Sequence, residues 1–311
     1  MDHYEGVSTL CGEMDRNLQA VQSGFGVVII NRGGELKISG EQKAVDHAFD
    51  VFSALSKMIS KGQAVTDQTV DYCISTTAAG KADQLTELSD DKTIIITPRG
   101  KPVRPKTAGQ KKYIELIKNN TIVLSVGPAG TGKTYLAVAM AVAAFAKNEV
   151  SRIVLTRPAV EAGEKLGFLP GDLQQKIDPY LRPLYDALYD MLGMESCAKY
   201  IERGSIEIAP LAYMRGRTLD DSFIILDEAQ NTTREQMKMF LTRLGFNSKA
   251  IITGDITQID LPNRKSSGLL QAVRLLRNID GIASARFDES DVVRHRIVKE
   301  IIKAYQNEEK Q

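Results

Sequence analysis

The chain has 311 residues, of which 43% are hydrophobic and 25% are charged, a composition typical of a globular protein with room for about two domains. The formal net charge is only +1. This excludes a uniformly basic nucleic-acid-binding chain, so any such contact must come from a local patch. The three cysteines, Cys11, Cys73 and Cys197, form no C-x-x-C pair, and neither a zinc site nor a disulfide framework is predicted.

Neither the start of the chain nor its longest apolar run has the pattern of a targeting or membrane segment. Residues 1–5 are acidic and polar, unlike a signal peptide. The apolar run around 136–145 is too short and too rich in alanine to span a bilayer. We therefore expect a cytoplasmic protein without a membrane segment.

Residues 1–62 have the pattern of a small α+β module. A turn at Asn31-Arg-Gly-Gly34 separates two runs of strand-forming residues. Apolar residues at three- and four-residue steps indicate an amphipathic helix after the second strand. The predicted elements are a helix at 13–21, strands at 27–30 and 36–39, and a helix at 41–59.

Residues 63–104 are predicted to form a connector with little core of its own, ending in a basic hairpin. A helix is possible at 68–74 and a strand is predicted at 93–97. A run without acidic residues follows the strand, and its basic residues are Arg99, Lys101, Arg104, Lys106, Lys111 and Lys112. Two interpretations stay open, a solvated linker and a contact with a nucleic-acid phosphate backbone.

Residues 105–311 alternate predicted strands and helices, which indicates an α/β domain with a mostly parallel sheet. The strands are predicted at 122–126, 152–156, 206–209, 223–227, 250–254 and 282–287. In such sheets the 250–254 strand is expected between the 122–126 and 223–227 strands. Parallel sheets bind ligands at the carboxyl ends of their strands, so the site is predicted there.

An octapeptide between the first of these strands and a predicted helix matches the G-x-x-x-x-G-K-[ST] phosphate loop without a mismatch. It comprises Gly127, Pro128, Ala129, Gly130, Thr131, Gly132, Lys133 and Thr134. The glycines allow the backbone to curl around a polyphosphate, and the helix N-terminus adds partial positive charge. Lys133 is predicted to bind the β- and γ-phosphates, and Thr134 to bind Mg²⁺.

Two acidic residues follow the apolar run 223–226. Asp227 is predicted to hold Mg²⁺ together with Thr134, and Glu228 to orient or deprotonate the attacking water. The alternative is a helix N-cap followed by a first-turn acid. The phosphate loop about a hundred residues upstream favours the catalytic interpretation.

Polar residues also end two other strands. Gln258, after the 250–254 strand, is predicted to sense the γ-phosphate, with helix capping as the alternative, and Asp255 to orient the phosphate loop. Thr156 and Arg157 are expected to contact a nucleic-acid backbone or a substrate. The stretch 161–217 is long for a crossover but rich in apolar and aromatic residues, which indicates function rather than disorder.

These segments together resemble the PhoH family of bacterial proteins, with the strongest matches at 127–134, 156–172, 209–217, 223–231 and 253–262. The resemblance implies a RecA-like P-loop ATPase domain related to one half of a superfamily-1 helicase. It also implies that ATP is the nucleotide, and that Gln110 contacts the adenine. The N-terminal module is similar to the KH-like module of longer family members, which would imply RNA contact, although the G-x-x-G loop of standard KH domains is not evident.

The resemblance further implies a homo-oligomeric ring, expected to be a hexamer. A single RecA-like domain needs an arginine finger from a neighbouring subunit. Arg243 and Arg294 are the candidates, each with an alternative role as a surface arginine. His295 is expected to be a structural or surface residue and not a catalytic one.

The sequence therefore predicts a cytoplasmic, Mg²⁺-dependent ATPase that acts on RNA, with ATP and Mg²⁺ as cofactors. A protein partner in RNA or ribosome metabolism is a further candidate. The alternative is an ATP-dependent switch that remodels a protein partner without helicase activity. A small-molecule kinase is less favoured, because the Asp-Glu pair resembles ATPases that activate water.

Overall fold

The computed structural model of the chain describes residues 3–83, 85, 93–158, 173–294 and 296–308. The chain divides into two compact units. The first comprises Met1–Asp91, Lys106–Ala108 and Ser290–Gln311, and the second comprises Lys92–Pro105 and Gly109–Glu289. This division differs from the predicted segments 1–62, 63–104 and 105–311.

The first unit contains helices and a two-stranded antiparallel hairpin. Its helices are His3–Cys11, Arg16–Phe25, Gln42–Ser60, Asp67–Ala78 and Arg296–Glu308, and its strands are β1 (Val28–Arg32) and β2 (Glu35–Ser39). Gly33 and Gly34 form the turn with φ of 62° and 91°, the left-handed values that a two-residue hairpin turn requires. The α+β pattern and the hairpin predicted from the sequence are confirmed, whereas the KH-like identity stays a prediction.

One segment of the predicted connector belongs to the core of the first unit. The helix Asp67–Ala78 is longer than the predicted 68–74, and it buries Val70 and Cys73 beside Val51 and Leu55 of the preceding helix. The expectation of little core here was wrong, because Val70 and Cys73 are three residues apart and lie on one helical face. Thr66 caps the helix by accepting a hydrogen bond from the Thr69 amide.

The first predicted helix also differs in position. A short 3₁₀ turn occupies Glu13–Asp15, and the α-helix begins at Arg16 and runs to Phe25. Met14 and Asp15 have φ of 52° and 57°, left-handed values that a helix beginning at 13 could not contain. The sequence pattern did not reveal this turn.

The second unit is built on a six-stranded, entirely parallel sheet in the order β10-β5-β9-β8-β6-β7. The strands are β5 (Ile122–Val126), β6 (Arg152–Arg157), β7 (Ile206–Pro210), β8 (Ser222–Leu226), β9 (Lys249–Gly254) and β10 (Ile282–Arg286). All six predicted strands are present with ends within one residue of the expected positions. The predicted place of β9 between β5 and β8 is confirmed.

Alternate residues of each central strand face two separate cores. Val123 and Ile251 point into the core that contains the helices Lys133–Ala146 and Leu173–Leu192. Leu124 and Ile252 point into the core on the other face, with Arg234–Leu241 and Gly268–Leu275. Helices therefore cover both faces, which explains why β5 and β8 are buried along their whole length. The remaining helices of this part of the chain are Ala108–Asn119 and Met194–Glu202.

The basic hairpin is present but short. The strand predicted at 93–97 is reduced to β3 (Ile95–Ile96), which pairs with β4 (Pro102–Val103). The helix Leu173–Leu192 includes Pro179 and Pro183. The predicted motif residues 159–172 lie outside the described residues, as does His295. Among the described helices, none combines the length and apolarity needed to cross a membrane.

Val70→Ala is expected to lower the free energy of unfolding by about 2 kcal/mol, because the side chain is 1% exposed and packs in the core of the first unit. The matched control is Val28→Ala, at a strand position that is 58% exposed, with an expected cost below about 1 kcal/mol. Urea unfolding measures both. Equal losses would contradict the placement of the Asp67–Ala78 helix in the core.

Candidate functional site

A cleft of about 250 Å³ opens at the carboxyl end of the sheet in the second unit. It lies where β5, β8 and β9 end, the location at which parallel α/β sheets bind ligands. Its lining residues are Ala129, Gly130, Gly132, Lys133, Thr134, Tyr135, Asp227, Glu228, Gly254, Asp255 and Gln258. Most of the residues predicted for a nucleotide site therefore meet in one cleft.

The phosphate loop connects β5 to the helix Lys133–Ala146. A Cβ on Gly127 would lie 2.6 Å from Cβ and 2.8 Å from the carbonyl oxygen of Phe287, so only glycine fits without a backbone shift. Gly130 and Gly132 have φ of 85° and 78°, which glycine adopts without a steric cost. The loop conformation thus depends on its glycines for two different reasons.

The Lys133 side chain lies along the inside of this loop. Its Nζ donates hydrogen bonds to the carbonyl oxygens of Gly127 at 2.7 Å and Pro128 at 2.8 Å, and to the Thr131 hydroxyl at 3.3 Å. The side chain is 8% exposed. An ammonium held by neutral carbonyls at the mouth of a cleft is suited to pair with an anion such as a phosphate.

Asp227 is the most heavily hydrogen-bonded carboxylate of the cleft. Its Oδ1 accepts from the hydroxyls of Thr134 and Thr253, each at 2.6 Å. Its Oδ2 accepts from Nε of Arg157 at 2.8 Å and from a terminal guanidinium nitrogen at 2.5 Å. The carboxylate is 2% exposed, so these donors replace the water that burial removes.

The contact of Arg157 differs from the sequence prediction. A nucleic-acid backbone or a substrate was expected to be its partner, but in the structure its guanidinium pairs with Asp227 and is 15% exposed. The register explains this contact. β6 pairs Thr156 with Leu226 of β8, so the next residues of the two strands are neighbours. The side chain of Thr156 is buried.

The residues present fit a magnesium ion. The Thr134 hydroxyl and Asp227 carboxylate bring two oxygen atoms to within 2.6 Å of each other, and Mg²⁺ prefers oxygen ligands. Among the described residues, no group of three or more His, Cys, Asp or Glu side chains could hold a metal. A magnesium ion here would therefore take further ligands from water and phosphate, as this ion usually does.

Glu228 has a left-handed backbone, with φ of 53° and ψ of 34°. Such a conformation costs of the order of 1–3 kcal/mol for a residue other than glycine and is concentrated at functional sites. Its side chain is 41% exposed, and one carboxylate oxygen accepts a hydrogen bond from Gln230 at 2.6 Å. The geometry turns the carboxylate into the cleft, where it is suited to accept a proton from water.

Gln230 is a site residue that the sequence analysis missed. Its side chain is 1% exposed and donates to Glu228 and, at 3.1 Å, to the carbonyl of Gln258. The side-chain oxygen Oε1 of Gln230 accepts a hydrogen bond from the Asp255 backbone amide at 3.0 Å. Gln230 thus joins the end of β8 to the end of β9. The sequence signal that could have identified Gln230 is its position two residues after the acidic pair Asp227 and Glu228.

Asp255 holds the phosphate loop, as predicted. Its Oδ2 accepts the Ala129 amide at 3.0 Å, and its Oδ1 accepts the amide and the hydroxyl of Thr257. Gln258 is exposed and lines the cleft, and its contact with a γ-phosphate stays a prediction. Arg264, also missed from the sequence, donates to the carbonyls of Ile256 and Thr257 in the same loop.

Gln110 and Tyr113 contact the loop, and Tyr135 contacts the helix Leu173–Leu192. The buried amide of Gln110 donates to the Thr131 carbonyl at 3.1 Å, and its contact with adenine stays a prediction. Tyr113 donates to the Lys133 carbonyl at 3.3 Å, and burial raises the pKa of this phenol. Burial and then the neighbouring Asp190 raise the pKa of Tyr135, which donates to that carboxylate at 2.7 Å. Both phenols therefore stay protonated as donors at neutral pH.

The two candidate fingers lie in different units. Arg243 donates to the carbonyls of Met239 at 3.1 Å and Arg217 at 3.0 Å, and to the Thr242 hydroxyl. Arg294 lies in the first unit. The role of either residue as a finger stays a prediction.

Gln230→Ala is expected to lower the free energy of unfolding by about 2–3 kcal/mol, because the buried Asp255 amide would lose its acceptor. Gln258→Ala is the matched control. It removes an exposed side chain and keeps the carbonyl that Gln230 contacts, so its expected effect is below about 0.5 kcal/mol. Chemical denaturation compares the two. A Gln230→Ala variant as stable as this control would refute the bridging role of Gln230.

Known proteins are similar to this chain over most of its length. The family model described as PhoH-like protein matches residues 102–306. A PhoH-like protein of Mycobacterium tuberculosis (strain ATCC 25618 / H37Rv) is 54% identical over 297 residues, covering 95% of this chain and 84% of that protein. A PhoH-like protein of Bacillus subtilis (strain 168) is 50% identical, covering 96% and 93%. Protein PhoH of Escherichia coli (strain K12) is 44% identical over 207 residues, covering 66% and 58%.

A weaker likeness exists to a solved structure, the Sulfolobus solfataricus SWI2/SNF2 ATPase core in complex with dsDNA. It has 15% sequence identity and a TM-score of 0.33, and covers 56% of this chain and 35% of that one. A score this low supports no further argument. The family match and the relatives, together with the phosphate loop at the end of a parallel sheet, show that the chain belongs to the PhoH family and is an ATPase of the P-loop class.

Proposed function

We propose that the chain is a Mg²⁺-dependent ATPase that acts on RNA. The observation that supports this most strongly is the convergence of Lys133, Thr134, Asp227 and Glu228 in one cleft. These side chains supply a cation for phosphate, oxygen ligands for a metal and a carboxylate base, which together are the groups that ATP hydrolysis requires.

The proposed roles follow from the contacts. The loop amides and Lys133, released from the Gly127 and Pro128 carbonyls, bind the phosphates of ATP. Thr134 and Asp227 hold Mg²⁺, which neutralises charge on the phosphates when bound. Glu228 orients a water molecule and accepts its proton. Gln258 hydrogen-bonds the γ-phosphate and loses this partner after hydrolysis.

Glu228→Gln is expected to lower ATP turnover by about 10²–10⁴-fold, because an amide cannot accept the proton of the attacking water. ATP affinity should change little, since the loop and the metal ligands remain. Lys133→Ala is the contrasting variant. It should lose both ATP binding and turnover, because the cation inside the loop is gone. Calorimetry with ATP measures binding, and phosphate release measures turnover. Normal turnover by Glu228→Gln would show that Glu228 is not the base.

The case for RNA rests on the basic hairpin and on the resemblance to the PhoH family. Arg99 and Lys101 are exposed between β3 and β4, where they are accessible to a phosphate backbone. Arg104 is less available, because its Nε donates to the Thr93 hydroxyl at 2.8 Å. The KH-like character proposed for the first unit would add a second RNA contact.

The double variant Arg99→Ala/Lys101→Ala is expected to weaken binding of single-stranded RNA and to reduce the slope of log K against log salt by about 0.7 for each lost contact. The matched control is Lys147→Ala/Lys238→Ala, which removes the same charge from exposed positions elsewhere. Fluorescence anisotropy over a salt series measures both. Equal slopes for the two variants would contradict RNA binding by the hairpin.

We further propose that the active form is a cytoplasmic ring, with a hexamer as the expected size, in which Arg243 or Arg294 reaches the γ-phosphate of a neighbouring subunit. For Arg243 this would require release from the Met239 and Arg217 carbonyls.

A second candidate function is an ATP-dependent switch that docks or remodels a protein partner, including a partner in RNA or ribosome metabolism. The supporting observation is the exposure of Tyr180, Met194 and Tyr213 in the described part of the 161–217 insert, at 38%, 68% and 54%. Turnover measured with and without single-stranded RNA discriminates the two functions. Stimulation by RNA supports the first, and insensitivity supports the second.

A further inference from the structure

Arg157 contacts two parts of the second unit at once. Its Nε and one terminal nitrogen bind Oδ2 of Asp227, and the other terminal nitrogen donates to the Tyr180 carbonyl at 2.8 Å. Tyr180 belongs to the helix Leu173–Leu192. A single guanidinium therefore joins the carboxylate of the proposed metal site to the backbone of a helix outside the cleft.

The helix contact lies in a turn that contains two prolines. Pro179 and Pro183 lie inside this helix, and proline has no amide hydrogen to donate to the carbonyl four residues earlier. The carbonyls of Gln175 and Pro179 therefore lack that donor, whereas Tyr180 precedes Leu184, which has an amide. The hydrogen bond from Arg157 to the Tyr180 carbonyl is thus made next to an interruption in the helix hydrogen-bond ladder.

The two oxygens of Asp227 have different partners. Oδ1 contacts the hydroxyls of Thr134 and Thr253, and Oδ2 contacts Arg157. A metal bound beside Thr134 would share this carboxylate with the guanidinium. Glu228 Oε1 lies 3.8 Å from the same guanidinium and is a second negative charge beside it. Because the metal and the guanidinium would share Asp227, metal binding and the contact between Arg157 and Asp227 must influence each other.

We propose that Arg157 is a positioning residue that couples the metal–nucleotide state of Asp227 to the helix Leu173–Leu192. This inference rests on the proposed function, because it needs a nucleotide and Mg²⁺ in the cleft. When Mg²⁺ and nucleotide bind, the Asp227 carboxylate is attracted to the metal. Its hydrogen bonds with Arg157 then weaken, and the hydrogen bond from Arg157 to the Tyr180 carbonyl changes as a result. The helix backbone thereby responds to the occupancy of the cleft.

The test compares Arg157→Gln, Arg157→Lys and the wild type, each as the full chain. The first readout is the Mg²⁺ concentration at half-maximal binding of a fluorescent ADP analogue. Arg157→Gln should lower this midpoint about tenfold, because a positive charge next to the metal ligand is removed. Arg157→Lys keeps the charge, so its midpoint should stay within about threefold of the wild type.

The second readout is amide hydrogen exchange in residues 173–192 with and without ADP and Mg²⁺. The wild type should show a change in exchange when both are added. Both variants should lose this change, because neither glutamine nor lysine can contact Asp227 through two nitrogens and the Tyr180 carbonyl through a third. Activity is not needed for either readout.

Arg152→Gln is the matched control, since Arg152 lies at the opposite end of β6 and pairs with Glu207 at 3.2 Å. It should leave both readouts as in the wild type. The inference is overturned if Arg157→Gln leaves the Mg²⁺ midpoint unchanged or raises it, or if its helix still responds to nucleotide as in the wild type. These outcomes overturn the inference alone, because they require a wild type that binds nucleotide. A wild type that binds no nucleotide would overturn the proposed function as well.

Discussion

The buried carboxylate of Asp227 is the constraint on which the rest of the cleft depends. An ionised carboxylate that is 2% exposed would be very costly without partners. Its partners come from three different segments. Thr134 is the last residue of the phosphate loop, Thr253 is the penultimate residue of β9, and Arg157 ends β6. The hydrogen bonds that satisfy this carboxylate therefore fix the start of the helix Lys133–Ala146 and the ends of β6 and β9 relative to β8.

The strand order makes this convergence possible. β5, β9, β8 and β6 are consecutive neighbours in the sheet, so their carboxyl ends form one row. The register pairs Leu226 with both Thr156 and Ile252, which aligns the following residues Arg157, Asp227 and Thr253. Gln230 then links the ends of β8 and β9. The cleft is thus a consequence of parallel topology combined with polar residues placed immediately after apolar strands.

Much of this arrangement was predictable, because strand-length apolar runs and the phosphate-loop motif are local signals. The loop, Asp227 and Glu228 meet in the cleft as local pattern and topology predict. The misses involve contacts between distant residues. Arg157 was assigned to a nucleic-acid backbone or a substrate because the sequence does not reveal that β6 lies next to β8. The bridging amide of Gln230 was missed for the same reason. The core contribution of Val70 and Cys73 was obscured by the many polar residues of the same helix.

The most direct test of the account is phosphate release by the wild-type protein at a fixed ATP concentration while Mg²⁺ is varied. The contacts of Thr134 and Asp227 lead us to expect release that rises and saturates with Mg²⁺ and is abolished by a chelator. Release that is absent at every Mg²⁺ concentration, or that is unaffected by the chelator, would contradict the assignment of this cleft as a metal-dependent ATPase site.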